Sequence, residues 1–419
     1  MKRVSTMALG LMLALGTTTL AVQPVAAQKE KKQKEKPASY SPAVRAALAP
    51  AQEALKANDL ATAAARIAEA NAAVQTDDDR YATGNLTYEL GRLTKDNAKL
   101  AEGIDLMLAS NKVAPEQLAS FYTSRGKLAY QMKDMPKAET SLEQALQAGS
   151  TDPDILPVLV EAKNANGKLG EALALLEKGI KERTAAGQPV PVEWYGRGIN
   201  LALAAKPATP ELGEAAQRLT QLWVAAYPTK NNWRDTLMIY RDLNHIPADI
   251  ELDMYRLLRT IGGLKGERDY MDYISATYLR FPAEASAVLT EGVAAGMINP
   301  AGNRNLQEIA DLTKGKVAAD KAALNAGIAS AKSAANGRSA LSTADAFLGY
   351  NEWQQAIDLY KVALAKGGVD TNVVNTRLGM ALVRAGQKDA AKQAFAQITG
   401  PRAALAKYWT IYIDKPVAG

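Results

Sequence analysis

Residue types able to do chemistry are scarce in this chain. Of its 419 residues none is cysteine and one, His245, is histidine. Thiolate nucleophiles, disulfide frameworks, cysteine zinc sites and paired-histidine metal motifs are therefore excluded. His245 lies in Asn244-His245-Ile246-Pro247, at a predicted helix end where a cation favours the C-terminal dipole, and it reads as a cap or a solvated side chain. Asp77, Asp78 and Asp79 stand together before a predicted helix. Carboxylates there cap free amides and complement the N-terminal dipole, whereas a calcium loop needs further oxygen ligands at fixed spacing. The chain carries no GxSxG elbow, no phosphate loop, no HExxH and no GxGxxG after a strand. Gly315-Lys316 lacks both the earlier glycine and the following hydroxyl residue of a phosphate loop. Asn85-Leu86-Thr87 fits a glycosylation acceptor but falls on a predicted helix. No cofactor and no metal is implied.

The elements that would position any site are helical. The chain is 47% hydrophobic and 22% charged, enough to bury a large core and to exclude global disorder. From Ser41 onward, apolar residues recur at three and four, and Gly, Pro, Asn or Asp interrupt them every dozen to eighteen residues. That pattern predicts about twenty-one helices with short connections, hence antiparallel neighbours, and no strands. Residues 303–313 and 317–334 are predicted as separate helices, broken at Gly315-Lys316.

Small residues set a longer beat. Gly126 is followed at twelve residues by Ala138, then Leu142 and Ala145; Val160 is followed at twelve by Ala172, then Leu176 and Gly179. Near the C-terminus Ala344, Ala356, Tyr360 and Ala363 are echoed by Gly379, Ala391, Phe395 and Ile398. Two helices approach closely only where small residues face, and a bulky residue one turn later fills the gap to the next pair. A hairpin alone cannot bury its apolar face, so stacking is required. In 377–398 (RLGMALVRAGQKDAAKQAFAQI) and 347–364 (FLGYNEWQQAIDLYKVAL) the chain resembles the tetratricopeptide repeat family. Five or so hairpins carry the resemblance, over roughly 40% of the chain. It implies an all-α, right-handed α-solenoid, or superhelix, of antiparallel helix pairs.

The pattern is uneven. The pair around Gly198 reaches Ala216 only after a turn lengthened by Lys206 to Pro210, and residues 229–336 lack the beat. The chain divides into repeats over 42–228, a diverged helical region over 229–336, and a C-terminal pair with a capping helix over 337–419. Aromatics crowd 223–281, among them Trp223, Trp233, Tyr240, Tyr255, Tyr273 and Phe281; they read as core packing between diverged helices. Lys230, Arg234, Arg241, Arg256 and Arg259 are offset by Asp235, Asp242, Asp249, Glu251 and Asp253, and read as solvated helix faces. Tyr408, Trp409 and Tyr412 give the last helix an amphipathic face for capping the array or docking a second copy.

In the family the first helix of each pair lines a concave groove. The resemblance therefore places Ser120, Thr123, Lys127, Tyr130 and Gln131 in one pair, Asp154, Glu161 and Asn164 in the next, Tyr195 in the degenerate pair, and Arg338, Asp345, Thr376, Met380 and Arg384 at the C-terminal end, against a protein or peptide ligand. The implied function is a non-catalytic scaffold. One alternative is an accessory that binds cell-wall or exopolysaccharide glycan through the middle aromatics. Another is a carboxylate-based wall hydrolase, since acidic partners can come from distant helices; lytic enzymes with helical superhelices, however, carry a lysozyme-like module with a Glu-Ser motif, a dipeptide missing here.

Lys2 and Arg3, the apolar run Ala8 to Leu15 and the small residues Val25-Ala26-Ala27 have the order of a cleavable secretory signal over 1–27. Export to a bacterial-type periplasm, or secretion, follows, with a role in envelope assembly or maintenance. No later stretch approaches a membrane span. The formal net charge is +6, but Lys2, Arg3 and the five-lysine, two-glutamate segment 29–36 account for nearly all of it. Residues 28–41 read as a basic, proline-containing linker, and the near-neutral body disfavours nucleic acid as partner.

Overall fold

The computed structural model describes residues 38–417; the leader and most of the linker lie outside them. Among the described residues there are helices and no strands. The first array stacks α1 (Pro42–Lys56) on α2 (Leu60–Ala72), α3 (Asp77–Thr94) on α4 (Asn97–Ala109), α5 (Pro115–Gln131) on α6 (Met135–Gln147), α7 (Ile155–Ala165) on α8 (Leu169–Ala185), and α9 (Val192–Ala204) on α10 (Pro210–Ala226). The chain continues through α11 (Lys230–Asn244), α12 (Ala248–Ile261), α13 (Gly266–Thr277), α14 (Pro282–Ala294) and α15 (Arg304–Ser333). It ends with α16 (Arg338–Gly349), α17 (Trp353–Lys366), α18 (Thr371–Arg384), α19 (Lys388–Ala396) and α20 (Ala403–Asp414). Each helix packs on its neighbours in sequence. The fold is an α-solenoid.

One turn recurs inside the hairpins. Asn58, Lys133, Gly167, Asn351 and Gly386 all take positive φ. The amide after each reaches back five residues, as in Asp59 N to Ala54 O, Asp134 N to Ala129 O, Lys168 N to Lys163 O, Glu352 N to Phe347 O and Gln387 N to Leu382 O, all at 2.9–3.0 Å. This is the six-to-one bond of a left-handed C-cap; it satisfies a carbonyl that the ending helix leaves free and points the chain back on itself. Asp59 and Asp134 then cap the next helix through Thr62 N and Lys137 N.

The small-residue beat is buried as the spacing requires. Ala138, Ala172, Ala356 and Ala391 are fully buried. A Cβ on Gly126 would stand 2.5 Å from Leu142, and one on Gly379 would stand 2.5 Å from Phe395. The backbones of α3 and α4 also meet closely, so that a Cβ on Gly103 would lie 2.5 Å from the Tyr88 amide nitrogen and 2.6 Å from the Gly84 carbonyl oxygen. Asp77–Asp79 behave as caps. Thr76 and Asp79 form a capping box at α3, and buried Asp79 also accepts from the amide of Ser41. His245 is an exposed, left-handed C-cap of α11.

One expectation fails. Residues 304–333 form a single helix through Gly315 and Lys316. Glycine in a helix interior costs only about 1 kcal/mol relative to alanine, and no capping or left-handed residue stands there to end the helix. The consequence is a change of step. The small facing residues sit on α5, α7 and α9 in the first array, but on α16 and α18 near the end.

The cores differ as well. The first array buries separate clusters, small ones toward its N-terminal end, such as Ala51, Ala63, Ile67 and Leu90, or Ile104, Met107 and Phe121, and a larger one that joins α7 to α10 through residues such as Val160, Leu176, Tyr195 and Leu219. From Val224 to Ile413 the buried side chains form one cluster. It includes Trp233, Tyr240, Tyr255, Tyr270, Tyr273 and Phe281, so the middle aromatics are core. α20 closes this second array. Tyr408 packs edge-on against Trp233 and Tyr240 and shares a hydrogen bond with Thr220 of α10, while Trp409 stacks on Phe395 at 5.9 Å.

Candidate functional site

The inner wall of the second array comes from α12, α14, α16, α18 and the entry to α20. Arg256 on α12 grips Glu284 on α14 with two bonds of 2.9 and 2.7 Å and Asp253 with a third of 2.7 Å. Asp345 on α16 accepts from Tyr360 at 2.8 Å and from Arg377 on α18 at 2.5 Å. Arg402, before α20, returns to Asp253 at 2.6 Å and to Asp249. Three buried guanidinium groups thus meet three buried carboxylates. Burial pushes the Asp253 carboxyl up, but Arg377, Arg256 and Arg402 around it outweigh that and hold it below its ordinary value. Glu284 is lowered in the same way, against burial, by Arg256 and the Tyr273 hydroxyl. Such a network tolerates no missing member, because an unpaired buried charge costs several kcal/mol.

This network corrects two readings. Asp253 and Arg256 are core residues and not solvated helix faces; nearby, half-buried Arg234 pairs with buried Asp269, and Arg259 with Glu291 and Arg241 with Asp242 at partly exposed positions. The C-terminal groove is also filled by its own wall. Asp345, Thr376 and Met380 are buried, as are Thr123 and Tyr195 in the first array, so none of the five offers itself to a partner. Thr123 and Thr376 turn their hydroxyls back to the carbonyls of Ala119 and Asn372 at 2.6 Å, and Tyr195 packs edge-on against Tyr227. Arg338 and Arg384 remain exposed. Arg384 lies over Trp353 at 4.9 Å, beside a cavity of about 50 Å³ that it shares with Arg259, Trp353, Met380 and Trp409. That volume admits a water or two.

The first array keeps its predicted face open. Ser120, Gln131 and Asp154 are exposed, and Lys127, Tyr130, Glu161 and Asn164 half-buried. Lys127 Nζ bridges Asp152 and Asp154 at 2.8 and 3.1 Å, and Arg197 on α9 donates to Glu161 on α7 at 2.6 Å. Between them a buried cluster locks α6 to α7. Lys163 reaches Glu139 at 3.0 Å and Glu143 at 2.6 Å, while Glu139 also accepts from Asn166 and Lys168. Burial pushes the Glu139 carboxyl up, yet its Lys168, Asn166 and Lys163 donors bring it down to about 2.

Lys127, Glu161, Asp345 and Met380 occupy one repeat position, each following the small facing residue Gly126, Val160, Ala344 or Gly379. The Lys127 and Glu161 side chains retain 31% and 24% of their exposure, whereas Asp345 and Met380 retain 4% and 2%; Ile199, which follows Gly198 on α9, is buried like them at 4%. Among the described residues, no group of three or more His, Cys, Asp or Glu is placed to hold a metal ion, and no helix is long and apolar enough to cross a membrane.

No family model matches the chain, and no curated protein matches it. Among solved structures it is similar to a chain in a structure of Naa15/Naa10 bound to HypK-THB, at 14% identity and a TM-score of 0.28. The match covers 86% of this chain and 65% of that one, so this chain spans less than two thirds of its length. The helix-pair packing establishes the solenoid without it.

Proposed function

We propose that the chain is a non-catalytic scaffold that binds a protein or peptide along the first helices of the first array, with the second array as a rigid base. The observation that carries this is the contrast at the shared repeat position. Lys127 and Glu161 stay accessible, in surface ion pairs with Asp152, Asp154 and Arg197 that a partner can exchange for its own contacts, whereas Asp345 and Met380 are consumed by the wall they belong to. An extended segment lying across α5, α7 and α9 would meet Tyr130 as an aromatic anchor and Asn164 and Glu161 as polar contacts. The signal-like order of residues 1–27 supports export to a periplasm, and a scaffold there would act in envelope assembly or maintenance. The glycan reading is less well supported, because most of the middle aromatics, among them Trp233, Tyr240, Tyr255, Tyr270, Tyr273 and Phe281, lie in the core.

Photo-crosslinking in intact cells tests this. Probes at Ser120, Tyr130 and Asn164 are expected to capture one common protein, and Lys127→Glu with Glu161→Lys to abolish its capture. Equal capture from Gln147 on α6, or none from the three inner positions, would overturn the reading; cell fractionation checks the compartment.

A further inference from the structure

The inner helices of the second array alternate with antiparallel outer ones, so their N-termini share one mouth of the ring. A cavity of about 510 Å³ opens there, within the range of small-molecule sites. It is lined from the first turns of the inner helices by Asp249 on α12, Phe281 at the entry to α14, Arg338 on α16 and Val373 on α18, with Arg280 at the rim. Helices α12 and α14 have no side-chain cap at this end, and at α16 the Asn336 side chain accepts from the Arg338 amide at 3.1 Å, so the positive ends of the three helix dipoles share this mouth.

The charges of the lining divide into satisfied and spare. Asp249 is held by Arg402, Asp320 accepts from the Tyr350 hydroxyl at 3.1 Å, and Asp345 is held by Arg377 and Tyr360. Arg377, at the back of the cavity, is committed to Asp345 and Asp253. Arg280 and Arg338 form no ion pair among the described residues. Arg280 lies over the Phe281 ring at 5.2 Å, and Arg338 makes only a long bond of 3.4 Å to the Gly368 carbonyl. Every carboxylate at this mouth has an internal donor, and two exposed guanidinium groups are left over.

We propose that this cavity binds a small organic oxyanion, a carboxylate- or phosphate-bearing molecule, through Arg280 and Arg338. The guanidinium fork matches the two oxygens of either group, and Phe281, Leu341 and Val373 supply an apolar wall for its carbon skeleton. The site is separate from the open face of the first array and stands or falls independently of the scaffold reading.

The test is calorimetric titration of the full chain with inorganic phosphate and with citrate at constant ionic strength. Saturable binding of at least one probe is expected, weakened about tenfold or more in Arg280→Ala/Arg338→Ala. Both side chains are exposed, so the unliganded melting temperature of that variant should match the parent. Lys361→Ala/Lys407→Ala removes two exposed cations elsewhere on the same array and should leave binding unchanged. Citrate binding alone marks a carboxylate ligand, phosphate binding alone a phosphorylated one. Absence of saturation with either probe at tens of millimolar, or equal weakening by both double variants, would overturn the proposal.

Discussion

At the scale of residues, a few atoms decide how closely helices meet. Gly103 shows the strict case: an added methyl would press on backbone atoms of α3, which cannot rotate away. Gly103→Ala is expected to cost about 1–3 kcal/mol as the hairpin is forced apart. Gly170, also helical, has nothing within 4 Å of its missing Cβ, so Gly170→Ala should be neutral or stabilising by up to about 1 kcal/mol. Urea midpoints of the two variants check the contrast. Glu139 makes the first array acid-sensitive. Its carboxyl is depressed from an ordinary 4.5 to about 2, so the stability it contributes is complete above 4.5 and is lost as the pH falls through that window. The contribution is on the order of 2–3 kcal/mol. Melting temperatures between pH 5 and pH 2 should fall less steeply in Glu139→Gln than in the parent.

Among elements, α20 is the decisive one. It buries Tyr408 and Trp409 against α10, α11 and α19, and Arg402 at its entry neutralises Asp253 on α12. Removing that guanidinium leaves Asp253 to Arg256 and Arg377 and returns half-exposed Asp249 to solvent. Arg402→Ala is expected to destabilise the second array by about 1.5–3 kcal/mol, the scale of a lost charged hydrogen bond. Hydrogen exchange should show the lost protection concentrated in α20 and the start of α12; a loss spread evenly over all helices would contradict its role as the clasp. Sequence alone left a usable trace of this network. Asp253 and Arg256 stand three apart inside the run Leu252, Met254, Tyr255, Leu257 and Leu258, and charges embedded in so apolar a stretch are better read as a buried pair than as a solvated face. Arg377 and Arg402 carry no such mark.

For the whole molecule, two arrays built of the same unit differ in cooperativity. The first divides into small clusters toward its N-terminal end and a larger one over α7 to α10, so it should open stepwise from its N-terminal end; the second shares one core and should open as a unit. Native-state hydrogen exchange is expected to give graded protection rising from α1 to α9 and near-uniform protection over α12 to α20. A single global opening energy for both arrays would contradict the division.

The sequence by itself determined the hairpin: small residues twelve apart, left-handed turn positions and acidic caps act over at most one helix pair, so their spacing reports their contacts. Of the first-array positions it proposed for a groove, Lys127, Tyr130, Glu161 and Asn164 are half-buried, while Thr123 and Tyr195 are buried. Only the tertiary structure decided that the second array closes. Arg402 meets Asp253 across 149 residues and Tyr408 meets Thr220 across 188, and no periodicity encodes such a meeting. Closure then reverses the meaning of a repeat position, because a side chain that faces solvent in an open array faces its own neighbours once the ring is shut.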